Sequence, residues 1–154
     1  MLLQWQDLHH QQLSAAQLYQ LLALRNTVFI VEQQCVYQDI DGADLSGENR
    51  HLLATRENKL LAYARLLAPQ SAEQPARIGR VIVSGEARGM KLGNQLMEQA
   101  VASCRHHWPQ HNVFLSAQAH LQDFYGRFGF RAVSGNYLED NIPHIDMVLS
   151  VRAS

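Results

Sequence analysis

Apolar residues along this chain follow two spacings. Leu18, Leu21, Leu22, Val28 and Phe29, with Arg25 among them, recur every three to four positions. Residues 15–30 therefore predict an amphipathic helix, with Ser14 as its N-cap. Leu92, Leu96, Met97, Ala100, Val101 and Cys104 mark a second helix that stops near Trp108-Pro109. A third, over residues 119–128, is closed by Gly129. Elsewhere the period shortens. Residues 2–8 alternate weakly and predict an edge strand, and residues 51–55 and 59–67 predict a pair joined by a turn at Glu57-Asn58. Residues 77–84 are dense in β-branched side chains and give the clearest strand. Short strands follow at 113–116, 130–133 and 145–151. Residues 85–89 read as a turn and 69–75 as a polar loop. Residues 33–48 show neither period; being polar and rich in Asp and Gly, they predict a long surface loop, a type of segment that often carries function.

The order is strand, helix, three strands, helix, strand, helix, two strands, with no internal repeat, low-complexity tract or linker. One mixed sheet with helices on its faces, an α/β (α+β) architecture, buries those apolar stripes economically. A length of 154 residues suits a single domain spanning 1–154. A formal net charge of −1 argues against a large basic nucleic-acid face, though a local patch is still allowed. No apolar run approaches the roughly 20 residues of a membrane span. The N-terminus, Met-Leu-Leu-Gln-Trp-Gln-Asp, lacks the basic and apolar regions of a signal peptide. Cys35 and Cys104 lie far apart and outside any C-x-x-C pair, the pattern of two reduced thiols. The expectation is a soluble, cytoplasmic protein that binds neither nucleic acid nor membrane.

Candidate chemistry begins at Val81-Ile82-Val83-Ser-Gly-Glu-Ala-Arg88-Gly89-Met90-Lys91-Leu92-Gly93-Asn94, where a buried strand turns into a helix. The spacing matches neither G-x-x-x-x-G-K-[ST] nor G-x-G-x-x-G. Two readings are open. One is plain structure. The other is an anion cradle: Gly89 and Gly93 let the backbone approach a ligand, the first helical turn offers unpaired N–H groups, and Arg88 and Lys91 add charge. A second run follows, Gln118-Ala-His-Leu-Gln-Asp-Phe-Tyr125-Gly-Arg-Phe-Gly129-Phe130. By itself Tyr125 reads as a core aromatic beside Phe124 and Phe128.

In order and separation the two runs resemble the signatures of the GNAT superfamily of N-acetyltransferases. The resemblance implies a mixed, largely antiparallel, twisted sheet flanked by helices on both faces. It also implies acetyl-coenzyme A as co-substrate and no metal. The family's phosphate loop reads Arg/Gln-x-x-Gly-x-Gly/Ala, here Arg88-Gly89-Met90-Lys91-Leu92-Gly93, continuing to Asn94. Lys91 stands where the family usually has glycine, and is tolerable if already helical with its amide facing phosphate. Val81, Ile82 and Val83 correspond to the strand that pairs with the pantetheine arm, and an N–H near Val83 would polarise the thioester carbonyl. Tyr125 corresponds to the phenol that protonates the departing thiolate. Gln118 stands where many relatives carry a cofactor-contacting asparagine.

The acceptor would bind through the N-terminal half. Arg25 to Gln33, Tyr37 to Asp44 and Ile142-Pro143-His144 resemble the ElaA-like branch of the superfamily, over nearly the whole chain. Glu32, at the end of an apolar helix, is either a general base or a helix-end carboxylate. Asp39, Asp41 and Asp44 form either an acidic lip for a cationic amine or a solvated loop. They lack the full pattern of a calcium loop. His144 is the histidine placed to take a proton from the attacking amine, directly or through water. His9-His10, His106-His107 and His111 read as surface residues rather than metal ligands. The implied reaction is direct transfer to a small-molecule, peptide or protein amine in a ternary complex, without a covalent Cys intermediate. Two rivals are open: a transferase using another acyl donor, and a non-catalytic acetyl-coenzyme A sensor. A homodimer is allowed.

Overall fold

The computed structural model describes residues 3–151. Its strands are β1 (Gln4–His9), β2 (Arg50–Arg56), β3 (Lys59–Leu67), β4 (Ala76–Val83), β5 (Val113–Gln118), β6 (Arg131–Ala132), β7 (Tyr137–Glu139) and β8 (Ile142–Leu149). They form one sheet in the order β1-β2-β3-β4-β5-β8-β6, with β7 also paired to β8. Every pairing is antiparallel except β4 with β5. The helices are α1 (Ala15–Arg25), α2 (Leu92–His107) and α3 (Gln122–Gly126). This is the mixed, largely antiparallel α/β architecture expected.

Strand alternation decides which helix covers which face. Leu53, Leu60, Tyr63 and Ile82 meet Leu21 of α1 and Val28 beyond it. Leu52, Ala54, Leu66 and Ile78 turn the other way and meet Leu92, Leu96, Met97, Ala100 and Cys104 of α2. Tyr125 and Phe130 extend that second core. The start of α1 follows the expected capping chemistry. Ser14 Oγ accepts from Gln17 N at 3.0 Å, and Gln17 Oε1 accepts from Ser14 N at 2.9 Å.

Four elements differ from the sequence reading. The first helix keeps α pitch only to Arg25; Asn26–Glu32 widens into π turns, where Thr27, Val28, Ile30 and Val31 disfavour a tight helix. The third helix divides into a 3₁₀ turn, Ala119–Leu121, and α3. Strand β7 was not expected, because three exposed residues carry no readable period. Strand β8 starts at Ile142, ahead of the expected residue 145, since Pro143 masks its beginning. Leu2, placed in the first strand by sequence, lies outside the described residues.

The larger correction concerns residues 33–48. Their aspartates form neither an acidic lip nor a solvated loop, because arginines take them. Arg25, 0% exposed, donates from Nε to Asp39 Oδ2 at 2.8 Å and from Nη1 to Asp44 Oδ1 at 2.5 Å. Arg65 forks onto Asp41, with both N···O distances 2.9 Å, and Arg80 Nε donates to Asp39 Oδ1 at 2.8 Å. Beneath them, His51 Nε2 donates to the Asp44 carbonyl at 2.8 Å, so its Nδ1 accepts from the Tyr63 hydroxyl at 2.6 Å. Burial raises the Asp44 carboxyl, but the Arg25 and Arg65 guanidiniums outweigh it and hold the group below its usual range. The fork from Arg65 holds Asp41 lower still.

Arg25→Ala should therefore cost about 3–5 kcal/mol, because it takes one of two guanidinium partners from each of the buried carboxylates Asp39 and Asp44. Urea unfolding at pH 7 measures the loss. Both aspartates have depressed folded pKa values, so their contribution is complete above about pH 4. It should disappear as pH falls further, and that decline should be shallower in Arg25→Ala.

Candidate active site

Strands β4 and β5 pair only at Ala76 with Val113 and Arg77 with Phe114. Beyond Arg77 they separate and open a cleft of about 800 Å³. One wall is β4 from Ile78 to Val83; the other carries Leu115, Ser116, Gln118, Leu121 and Tyr125. Val28, Phe29, Cys35 and Tyr37 close one side, and Glu139, Ile142 and His144 another. A register shift against β3 places a bulge in β4, and Arg80 there has a left-handed φ of 50°. The aspartates of the 33–48 segment hold Arg80, so the buried ion network fixes the wall of the cleft.

The free edge of β4 can be followed by residue. Ser84 N donates to Leu61 O at 2.8 Å, which makes Ser84 and Leu61 a hydrogen-bonded pair. By antiparallel alternation the neighbouring pair, Val83 with Ala62, turns its own N–H and C=O away from β3, toward the cleft. Val83 O accepts from Arg88 Nε at 3.2 Å. The Val83 N–H faces the opening.

The turn into α2 departs from expectation at two residues. Lys91 is left-handed, with φ 59° and ψ 26°, and precedes the helix instead of lying within it. That conformation is one glycine adopts readily. Gly93 points at α3: a Cβ there would lie 3.6 Å from Phe124 Cζ, in ordinary van der Waals contact, so neither space nor backbone requires glycine at this position. Gly89, at φ 96°, has nothing within 4 Å of such a Cβ and leaves the turn open. Lys91 gives α2 no side-chain cap, in contrast to Ser14 on α1. The first N–H groups of α2 are thus available to an anion.

Val81, Ile82, Val83, Arg88, Gln118, Tyr125 and His144 all line the cleft. Gly89, Met90, Lys91, Leu92, Gly93 and Asn94 form the adjoining turn. Tyr125 is 7% exposed, and burial pushes its phenol up to about 12. Phe124 and Phe130 meet its ring at a steep angle, with centroids 5.1 and 6.4 Å away. His144 donates from Nδ1 to Ile142 O at 2.7 Å. Glu32 lies outside the lining and pairs with Arg88, Oε1 to Nη2 at 2.8 Å. Sequence reasoning missed Arg80, Tyr37 and Glu139. Only Glu139 had a local signal, since Asp140-Asn141 between Tyr137-Leu138-Glu139 and Ile142 is a two-residue hairpin pattern. Among the described residues, no helix is long and apolar enough to cross a membrane, and no group of three or more His, Cys, Asp or Glu is arranged to hold a metal ion.

Known proteins share this fold. The family described as "Acetyltransferase (GNAT) domain" matches residues 7–151. The chain is 55% identical to Protein ElaA of Escherichia coli strain K12, over 97% of this chain and 98% of that one. The crystal structure of Escherichia coli ElaA superposes with a TM-score of 0.89 at 58% identity, covering 94% and 98%. That of an acyl-CoA N-acyltransferase from Pseudomonas aeruginosa superposes with a TM-score of 0.92 at 51% identity, covering 96% and 99%.

Lys91→Gly should relieve the left-handed backbone and stabilise the protein by about 0.5–1 kcal/mol. Gly89→Ala should do the reverse. Thermal unfolding of both variants beside wild type measures the pair.

Proposed function

The chain belongs to the GNAT acetyltransferase family, and we propose that it moves an acetyl group from acetyl-coenzyme A to a primary amine, with both substrates held together in the cleft. One observation carries this reading: an unpaired strand edge, Arg88 and a buried phenol line the single opening left where β4 departs from β5. The residues fit the donor. The uncapped start of α2 and the open turn at Gly89 suit a pyrophosphate. The free edge at Val81, Ile82 and Val83 suits the amides of a pantetheine arm, and Gln118 lies across from it. The similarity to an acyl-CoA N-acyltransferase supports the same donor class.

The residues then divide the chemistry. The Val83 N–H faces the position of a thioester carbonyl and stabilises the negative charge that grows on its oxygen as the amine attacks. The amine nitrogen forms the new C–N bond while the C–S bond breaks. The Tyr125 hydroxyl gives its proton to the leaving thiolate, a role open to it at every pH below about 12. His144 takes the proton that the amine loses. Its Nδ1 is committed to Ile142 O, which leaves the Nε2 lone pair free. Glu32 does not serve as base in this scheme. Its carboxylate holds Arg88 against the end of β4. Proximity of the two substrates and charge stabilisation by fixed donors supply most of the acceleration.

A screen of amines with acetyl-coenzyme A, following thiol release, tests the proposal. Tyr125→Phe should lower kcat by about 10²–10⁴-fold and leave the KM for acetyl-coenzyme A little changed. Arg88→Ala should weaken acetyl-coenzyme A binding in calorimetry. Unchanged kcat in the first variant and unchanged binding in the second would refute the site.

A further inference from the structure

We propose that Glu139 and His144 together form a seat for an ammonium group, so that the acceptor is an alkylamine bound in its cationic form. Arylamines and alcohols, which bring no positive charge at neutral pH, would be poor acceptors. The inference rests on the transferase reading above and names the substrate class of that site.

The β7–β8 hairpin builds the seat. Its two turn residues, Asp140 and Asn141, have left-handed φ values of 50° and 64°, the conformation of a tight two-residue turn. The register sets Tyr137 opposite His144, and period-two alternation brings Glu139 onto the same face. The imidazole is held on two sides. Ile142 O takes the Nδ1 proton at 2.7 Å. The Tyr137 ring lies against the imidazole, with centroids 6.2 Å apart and planes 28° from parallel. The Tyr137 hydroxyl is anchored in turn, 2.5 Å from Asp146 Oδ1 and 2.5 Å from Ser116 Oγ. On the remaining side, Nε2 lies 3.5 Å from Glu139 Oε2.

That spacing is long for a good hydrogen bond between the two side chains. Two acceptors side by side suit an ammonium, which has three N–H donors and can give one to each. Other carboxylates near the cleft are committed: Asp41 to Arg65 and Arg80, and Glu32 to Arg88. Among the described residues, the only ion-pair partner of Glu139 is His144. Two carboxylates lining the cleft, Glu139 and Asp140, can take an incoming cation without displacing an arginine, and of these Glu139 is the one beside His144 Nε2. In the reaction Glu139 binds the cation, one N–H proton passes to His144 Nε2, and the freed lone pair attacks the thioester carbon. Glu139 contributes to binding and His144 to the chemical step.

The test compares benzylamine, cationic near neutral pH, with aniline, which is neutral there, as acceptors of the acetyl group. Wild type should prefer benzylamine. Glu139→Gln should raise the benzylamine KM by about tenfold or more with kcat within about threefold, and Glu139→Asp should recover part of the loss. His144→Gln should instead lower kcat by about 10²–10⁴-fold. Coenzyme A affinity, measured by calorimetry, should be unchanged in all three variants, which shows them folded and separates this claim from the donor site. Equal use of the two amines, or a Glu139→Gln effect on kcat alone, would overturn the seat. A wild type that binds coenzyme A yet acetylates neither amine would count against the transferase reading and not yet against the seat. The seat is then judged by ¹⁵N NMR of the His144 ring with benzylammonium added. A shift at Nε2 that Glu139→Gln abolishes sustains it, and no shift in wild type overturns it.

Discussion

The parallel ladder between β4 and β5 lasts for two residue pairs and then stops. Everything at the site depends on that early end. A strand in mid-sheet normally satisfies its backbone groups on both edges. Here β4 keeps its β3 neighbour and loses the other, so the Val83 N–H faces an opening instead of a partner strand. Two features hold the strands apart. The bulge at Arg80 bends β4, and β5 pairs along its whole length with β8 and so follows that strand. Helix α2 starts at the end of β4 and α3 follows the end of β5, so each wall delivers a helix to the mouth of the cleft.

Holding that geometry takes an unusual arrangement of charge. Arg25 is fully buried and Arg65 and Asp44 nearly so, on the sheet face covered by α1. Desolvating such groups costs as much as their attraction returns, so the network adds little net stability. Its effect is positional. Asp39 accepts from both Arg25 and Arg80, which ties the 33–48 segment to α1 and to the bulge of β4 at once. The Arg80 guanidinium also lies over the Tyr37 ring, 5.5 Å from its centroid, and Tyr37 donates to Asp39 at 2.8 Å. A segment without secondary structure thereby becomes a rigid side of the cleft.

Much of this was legible in the sequence where the signal was local. Ser14 capped its helix, the period-two strands formed, and the two motif runs came to the same cleft because each sits where a strand meets a helix. Partnership across the fold was not legible. Asp39, Asp41 and Asp44 look like any acidic loop until Arg25, Arg65 and Arg80 are set against them, and those arginines lie on three different elements. Arg25 stood in the apolar stripe of α1 with nothing to show that it was buried as an ion. Lys91 illustrates a finer limit. The resemblance marked the position as usually glycine, but only the backbone shows why: the residue is left-handed, a conformation glycine reaches without strain.

In the proposed reaction, the choice of proton acceptor follows from such partnerships. Glu32 and His144 were comparable candidates by residue type. In the fold, Arg88 takes Glu32 and also caps the Val83 carbonyl. Protonating that carboxylate during turnover would release the arginine next to the strand edge proposed for the donor. His144 holds no arginine; its Nε2 has Glu139 3.5 Å away, a neighbour that suits an imidazole gaining a proton. Its other nitrogen is fixed by a backbone carbonyl of its own strand, so gaining a proton disturbs nothing on the donor wall. In the proposed scheme, with Tyr125 as donor, the proton leaving the amine and the proton reaching the sulfur move on different side chains. Neither transfer then has to wait for one side chain to exchange roles with the other.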